Sequence, residues 1–216
     1  MDSKDVAKNI GSKEYSQLND YKNTQVGIVN ALVSCNNISD SIIIEVNVLD
    51  GKGSFDVTGN VGETFKESAR TALSCIRTLP DIKKLPDGYF ENHIIHVHVP
   101  GCRETVDGTC AGVPIAVALY SAILNKEVDL KAALTGELTI KGIILPVSDA
   151  EGKIINTVNT DMKKLIMPQL NRAEVEATED IDLSKLNIIY VSRIEEVIEN
   201  SIVKRSFVLK KTDKEK

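Results

Sequence analysis

The pattern of apolar and polar positions divides the chain into three parts. Residues 1–24 are polar and lack an apolar period, so we expect them to form a polar N-terminal lead. Residues 25–203 show strand-like and helix-like patterns throughout, which predicts one folded domain. The basic stretch over residues 204–216 is expected to be a solvated tail.

Alternation with a period of two predicts half-buried β-strands. In the stretch SIIIEVNVL, Ile44, Val46 and Val48 point to one face, whereas Glu45 and Asn47 point to the other. The turn sequence DGKG then leads to SFDVTG, which predicts a hairpin between these two strands. Further strands are predicted at QVGIVNALV, HIIHVHVP, AALTGELTI, GIILPV, KLIMP and NIIYV.

Helical spacing appears in segments between these strands. Residues 62–79 and 151–162 each predict a helix, the first with a clear apolar face. Residues 111–124 are apolar nearly all round and predict a central helix. That helix should begin close to Cys110, because Pro114 is tolerated only in a first turn.

A last helix is predicted from its start signal. Ser192 is followed three residues later by Glu195, which forms the pattern of a capping box. Strands mixed with helices in this order predict an α+β (mixed α/β) fold.

Composition and charge limit the classes of partner. The chain is 42% hydrophobic and 26% charged, with a formal net charge of −5, which argues against a general binder of nucleic acid or anionic membranes. The N-terminus lacks the apolar core of a secretory signal, and the longest apolar segment is too short to cross a bilayer. We therefore expect a cytoplasmic protein.

The cysteines do not form a recognisable framework. Cys35, Cys75, Cys102 and Cys110 include no C-x-x-C pair, so neither a zinc knuckle nor a disulfide framework is indicated. Cys35 and Cys75 are interpreted as small buried apolar residues.

Cys110 is a candidate nucleophile because of its place in the sequence. A thiol becomes reactive when a helix N-terminus or a nearby cation lowers its pKa, and Cys110 directly precedes the apolar helix. Gly108 and Gly112 would let the backbone approach a ligand, and free N–H groups at the helix start can hold an oxyanion. The alternative is that Cys110 is a small residue required only by packing.

A nucleophilic cysteine needs a base, and the chain offers histidines and lysines. His96 and His98 share one strand face and with Cys102 give three candidate metal ligands, although a strand histidine is more often structural. Lys153 lies among apolar residues in a predicted helix, where burial would keep it neutral. The alternative is a surface lysine at a helix end.

Two stretches resemble the proteolytic domain of Lon proteases. HVHVPGCRETVDGTCAGVPIAVAL is similar to the segment that carries the family's serine in K-D-G-P-S-A-G, and AALTGELTIKGIILPVSDAEGKI is similar to the segment with its lysine. The resemblance places Cys110 at the serine position and Lys153 at the lysine position, with the family's separation of 43 residues. Thr135 matches the threonine that hydrogen-bonds near this lysine. The neighbouring motif positions are Asp107, Gly108, Thr109, Ala111 and Gly112.

The chain departs from the family pattern beside both candidate residues. Thr109 replaces the proline before the nucleophile, and Thr105 and Val106 replace a Pro-Lys pair. Ser148 and Asp149 replace the Gly-Gly after L-P-V. The Ser-Lys chemistry of the family would therefore become Cys-Lys chemistry.

The resemblance implies that residues 25–203 are a Lon-type proteolytic domain that hydrolyses peptide bonds. Cys110 would attack, Lys153 would transfer the proton, and Thr135 would orient the lysine. No metal or organic cofactor is implied, and the substrate would be a peptide or an unfolded protein. The family also implies a homo-oligomeric ring, commonly a hexamer, and an ATPase that feeds it. Without a G-x-x-x-x-G-K-[ST] motif, this ATPase would be a separate partner, a removed part of a longer chain, or unnecessary.

Two alternatives stay open at this point. The chain would be a catalytically inactive assembly or binding module if the substitutions beside Cys110 abolish the chemistry. It would be an engineered Ser-to-Cys variant if the cysteine was introduced into a Ser-Lys enzyme.

Overall fold

The structure, a computed structural model, describes most of the predicted domain. The described residues are 24–35, 38–102, 104–160, 162–178, 181, 183–184 and 186–204. Nearly all of the predicted lead and tail lies outside the described residues.

The described strands form one large mixed sheet and two small ones. They are β1 (Thr24–Val26), β2 (Ile28–Cys35), β3 (Ile38–Asp50), β4 (Ser54–Gly59), β5 (His93–Val99), β6 (Glu127–Asp129), β7 (Ala132–Leu134), β8 (Glu137–Leu138), β9 (Ile144–Leu145), β10 (Lys164–Pro168) and β11 (Asn187–Val191). The seven-stranded sheet has the order β11-β10-β7-β2-β3-β5-β4. β2, β3 and β5 are antiparallel neighbours, and the outer strands pair in parallel.

Helices pack on both faces of this sheet, so the predicted mixed α/β fold is confirmed. The described α-helices are α1 (Glu63–Ile76), α2 (Gly112–Leu124), α3 (Ala150–Val158), α4 (Arg172–Glu176) and α5 (Ile194–Ser201), and short 3₁₀ turns cover Ile82–Lys84, Thr109–Ala111 and Gln169–Asn171. The larger core contains α1 and α2, and a second core joins β2, β7 and β10 to α3.

The helix α2 is central, as its uniformly apolar sequence predicts. All but two of its residues, Ala122 and Leu124, are buried. Pro114 is its third residue, where a missing N–H removes no intrahelical hydrogen bond. The 3₁₀ turn Thr109–Ala111 runs directly into this helix, so the helix begins next to Cys110.

The predicted hairpin between β3 and β4 is wrong. β4 pairs in parallel with β5, and β5 lies between β3 and β4. The connection from β4 to β5 passes through α1, whose apolar face is buried against the core. Alternation correctly identifies the buried face of a strand, but it does not identify the neighbouring strand.

The predicted strand over AALTGELTI is interrupted. β7 ends at Leu134, and β8 starts only at Glu137. Between them Gly136 has a φ of 152°, which only glycine adopts readily, and a Cβ there would lie 2.7 Å from Val113 Cγ2. The chain leaves the sheet here to approach the start of α2.

Two predicted helix ends also differ from the structure. α3 ends at Val158, four residues before the predicted end. The last helix does not have the predicted Ser192–Glu195 capping box, since its N-cap residue is Arg193. Instead the N–H of Ser192, the residue before the actual cap, donates to Glu196 Oε2 at 2.9 Å.

Gly136 provides a test of the interrupted strand. Gly136→Ala forces a side chain into a glycine-only conformation and against Val113, so the free energy of unfolding should fall by about 1–3 kcal/mol or more. The measurement is urea unfolding. The control is Gly88→Ala, where φ is also positive but the near atom belongs to the flexible Asn92 side chain. A loss in Gly136→Ala no greater than that in Gly88→Ala would contradict the close approach.

Candidate functional site

Cys110 lies in the middle of the 3₁₀ turn that precedes α2. Its residue is 7% exposed, so the thiol is nearly enclosed. Gly108, immediately before the turn, has a φ of 137°, and a Cβ there would lie 4.0 Å from Cys110 Sγ. Glycine therefore provides the required backbone conformation and leaves space beside the sulfur.

Two hydrogen bonds connect this turn to the loop between β7 and β8. The Gly136 N–H donates to Cys110 O at 3.0 Å, and the Val113 N–H donates to Gly136 O at 3.0 Å. Gly112 approaches β8, since a Cβ there would lie 3.0 Å from Leu138 N. Gly112, which was expected to let the backbone approach a ligand, thus allows α2 to pack closely against β8.

Asp107 joins the turn to the N-terminus of α1. Its Oδ1 accepts from the Phe65 N–H at 2.9 Å and from the Gly108 N–H at 3.0 Å, and its Oδ2 accepts from Thr64 Oγ1 at 3.2 Å. The Phe65 N–H lies in the first turn of α1, where donors lack intrahelical acceptors. A side chain at Gly62 would collide with this carboxylate, because a Cβ would lie 2.4 Å from Asp107 Cγ.

Thr109 lines a groove beside the turn. The groove lies between α1 and β8, and its other lining residues are Thr64, Glu67, Ser68, Thr71, Glu137 and Leu138. It is open to solvent and mainly polar. A segment bound there would pass beside the residue that precedes Cys110.

Lys153 is fully buried on α3. Its residue is 0% exposed, and Nζ donates to Ser148 O at 3.0 Å. The next residue, Ile154, belongs to the second core. The predicted helix pressed on the core is therefore confirmed, and the alternative of a surface lysine is wrong.

Asp149 starts the helix that carries Lys153. It has a φ of 55°, in the left-handed region where the family pattern has glycine. Aspartate tolerates this region better than most residues, and here Oδ1 accepts from the Gly152 N–H at 3.1 Å. Oδ2 accepts from Ser39 Oγ at 2.5 Å, which ties α3 to β3. The substitution therefore preserves the backbone conformation and adds a helix cap.

Asn171 holds the loop in front of Lys153, and sequence reasoning missed it. It is buried, its Oδ1 accepts from the Val147 N–H at 2.9 Å, and its Nδ2 donates to Val147 O at 2.8 Å. Nδ2 also donates to Glu174 Oε2 at 3.0 Å, and Glu174 Oε1 accepts from the Ala150 N–H at 3.3 Å. An asparagine between a strand and a short helix is ordinary turn composition, so no pattern in the sequence indicated this role.

Thr135 lies between the two halves of the site. It is fully buried, its Oγ1 donates to Leu32 O at 2.9 Å, and its N–H donates to Ile166 O at 3.1 Å. Leu32 packs in the second core together with Ile154, and Gly136, next to Thr135, binds the Cys110 turn. The Thr135 hydroxyl donates its proton to the Leu32 carbonyl, so its oxygen can still accept a hydrogen bond.

The described residues do not assemble the three-ligand metal group considered from the sequence. His96 Nε2 and His98 Nδ1 both contact Thr58 Oγ1, whereas Cys102 Sγ lies 3.8 Å from Pro100 O. Within the described ranges, no three histidine, cysteine or acidic side chains lie together so as to hold a metal ion.

Among the described residues, Cys75 and Cys102 form no disulfide. Cys75 is buried, and burial raises the pKa of its thiol, which fits a small core residue. Cys102 is only partly buried. The side chain of Cys35 lies outside the described residues.

No helix in the described part of the chain has the length and apolar character needed to cross a bilayer.

Comparison with known proteins identifies similar chains. The model for the Lon protease (S16) C-terminal proteolytic domain matches residues 1–204. The chain is 34% identical over 200 residues to a Lon protease of Lachnoclostridium phytofermentans, covering 93% of this chain and 25% of that protein. It is 33% identical over 194 residues to a Lon protease of Halothermothrix orenii, covering 90% and 25% respectively.

A Lon protease 1 of Thermus thermophilus is 32% identical over 198 residues, covering 92% of this chain and 25% of that protein. The chain thus spans about a quarter of the length of the curated relatives it matches.

Asn171→Ala tests the support of the loop before Lys153. The change leaves the buried N–H and C=O of Val147 without their described side-chain partner, so the free energy of unfolding should fall by about 1–3 kcal/mol. Hydrogen exchange should show faster exchange of the Val147 amide. Asn187→Ala removes an exposed asparagine and should change stability by less than about 0.5 kcal/mol. Unchanged protection of Val147 in Asn171→Ala would contradict the role.

Proposed function

Because the chain belongs to the Lon protease (S16) C-terminal proteolytic domain family, we propose that it hydrolyses peptide bonds through a Cys110–Lys153 dyad. The substrate is a peptide or an unfolded protein. The observation that carries the proposal is the complete burial of Lys153 on a helix whose start is held by β3 through Ser39 and by α4 through Glu174.

We propose that the buried Lys153 transfers the proton in this reaction. Removal from water disfavours the charged ammonium relative to the neutral amine. A neutral amine takes the proton from the attacking thiol, and the resulting ammonium returns it to the leaving amine of the substrate. The Ser148 carbonyl, which accepts from Nζ, orients the lysine without competing for the proton.

The thiol attacks the substrate carbonyl and forms an acyl-enzyme. The C–N bond breaks as the amine leaves with a proton, and water then hydrolyses the thioester. The first N–H groups of α2 are already used, since Gly112 donates to Thr109 O and Val113 donates to Gly136 O. The oxyanion that develops in both steps is therefore assigned to backbone N–H groups of the Thr109–Ala111 turn around Cys110. Asp107 and Gly136 hold this turn from opposite sides, which supports preorganisation.

The resting protonation state of the dyad depends on both groups together. A thiol and an amine with similar proton affinities settle as a coupled pair and can rest as thiolate and ammonium. In that state Lys153 acts as an ion-pair partner and as the proton donor to the leaving amine. The thiol form and the ion-pair form lead to the same acyl-enzyme.

The groove lined by Thr109 is suited to an extended peptide. Its polar walls come from α1 and β8 and run up to the residue before the nucleophile. A peptide that lies there presents a carbonyl to Cys110 without unfolding the domain.

The assembly is part of the proposal. We propose that the domain acts in the cytoplasm as a homo-oligomeric ring, with a hexamer as the size that the family resemblance implies. Since the chain spans about a quarter of its relatives, the ATPase that delivers unfolded substrate would be another part of a longer chain or a separate partner.

An inactive assembly or binding module is the competing function. The substitutions near Cys110 and Lys153 motivate it, but Asp149 keeps the left-handed backbone and caps α3. This observation favours a retained site, whether the cysteine is natural or was introduced in place of serine.

Alkylation rates test Cys110 as the nucleophile. If reactivity followed exposure alone, the partly buried Cys102 would react before Cys110, which is 7% exposed. We expect the reverse order, with Cys110 reacting at least about tenfold faster with iodoacetamide at neutral pH, because the reacting species is the thiolate. Peptide mass spectrometry gives the rate of each cysteine, and buried Cys75 serves as the slow reference. A Cys110 as slow as Cys75 would disprove the assignment.

Substitutions of Lys153 test the second member of the dyad. Lys153→Met keeps most of the buried volume and should lower kcat/KM on an unstructured peptide by about 10²–10⁴-fold while the fold survives. Lys153→Arg should not restore activity, because arginine stays protonated. The exposed Lys52→Ala is the control and should match the wild type. Full activity in Lys153→Arg would show that only a positive charge is needed.

A further inference from the structure

The sheet around β5 has one buried face and one open face. Val97 and Val99 point into the larger core and are buried, whereas His96 and His98 point to the other face and are only partly buried. Successive residues of a strand point to opposite sides, so the two imidazoles are neighbours on the open face.

The two imidazoles converge on one oxygen atom. Thr58 Oγ1 lies 2.7 Å from His96 Nε2 and 2.8 Å from His98 Nδ1. The hydroxyl has one proton, so it donates to one ring and accepts from the N–H of the other. The ring nitrogens are thus already directed at a shared point beside the strand, and β5 is held between β3 and β4.

We propose that His96 and His98 bind a divalent cation that prefers imidazole ligands, such as Zn²⁺. The ion would take the place of the Thr58 hydroxyl between the two ring nitrogens. Neutral imidazole is a common ligand for Zn²⁺ and related ions. With two protein ligands the other coordination positions hold water, so the site is open and exchangeable and differs from a closed structural zinc site.

The surroundings of the pair favour a cation. Asp56 lies opposite His96 on β4, and Glu45 lies opposite His98 on β3, so both carboxylates are on the open face. Asp56 Oδ2 accepts from Ser54 Oγ at 3.0 Å, which keeps its carboxylate on this surface. The attraction of these charges adds to the ligand bonds.

The ligand set differs from the one considered from the sequence. Cys102 points to Pro100 O, and the described residues bring no third histidine, cysteine or carboxylate into the group. The pair therefore rests on the two histidines alone. Its contacts with Thr58 are hydrogen bonds that a metal ion can displace by small rotations of the rings.

Imidazole NMR of the full chain tests the proposal, with Zn²⁺ as the probe after removal of bound metals by a chelator. We expect the ring signals of His96 and His98 to shift together and to saturate. His93 should not shift in step with them, since its Nδ1 contacts Tyr89 O at 2.6 Å and its ring stacks on Tyr89. The readout identifies each ring, so Zn²⁺ captured by cysteine thiols is recognised separately.

Variants identify the ligands. His96→Ala and His98→Ala should each weaken Zn²⁺ binding at this face at least about tenfold, and His93→Ala, on the same strand, should leave it unchanged. Circular dichroism confirms the fold of each variant. Equal shifts of all three histidines, or unchanged Zn²⁺ affinity in the double variant H96A/H98A, would overturn the proposal. Neither outcome depends on peptidase activity.

Discussion

The hydrogen bonds between Gly136 and the Cys110 turn are the constraint around which the site is arranged. They join the end of a sheet strand to the start of the buried helix α2 through Cys110 O and the Val113 N–H. Only a glycine fits there, because its φ is 152° and a side chain would collide with Val113. The chain therefore has to leave the sheet after β7, and the loop between β7 and β8 fixes the position of the nucleophile candidate.

The second constraint is the burial of a lysine. A buried amine needs a polar partner, and the Ser148 carbonyl supplies one only if its loop is held in place. Asn171 binds the backbone of Val147 on one side, and Asp149 caps the helix on the other. Glu174 of α4 accepts from the Ala150 N–H, and Ser39 of β3 donates to Asp149. Together with the 3₁₀ turn that carries Asn171, three parts of the fold therefore position one amine.

Local sequence patterns predicted elements well and long-range partners poorly. The period of the apolar residues identified α1 and α2, and the proline in the first turn placed the helix start next to Cys110. The β3–β4 hairpin was wrong, because alternation carries no information about which strand lies alongside. Asn171 was missed for a related reason, because its role depends on a hydrogen bond from Val147, which is distant in the sequence. Lys153 was selected by its apolar neighbours and by the family resemblance, and its complete burial was visible only in three dimensions.

The departures from the family motif occur where the backbone can keep its shape. Asp149 has a left-handed backbone conformation, at a position where the family pattern has glycine. Its side chain caps α3 and accepts a hydrogen bond from Ser39. Thr109 stands in a 3₁₀ turn, whose φ values suit proline, but threonine restores an N–H and lines the groove with a hydroxyl. Neither change disturbs the bonds that hold Cys110. For the Cys110 nucleophile that we propose, the thiol requires less help from a base than a serine hydroxyl would, because sulfur is the better nucleophile.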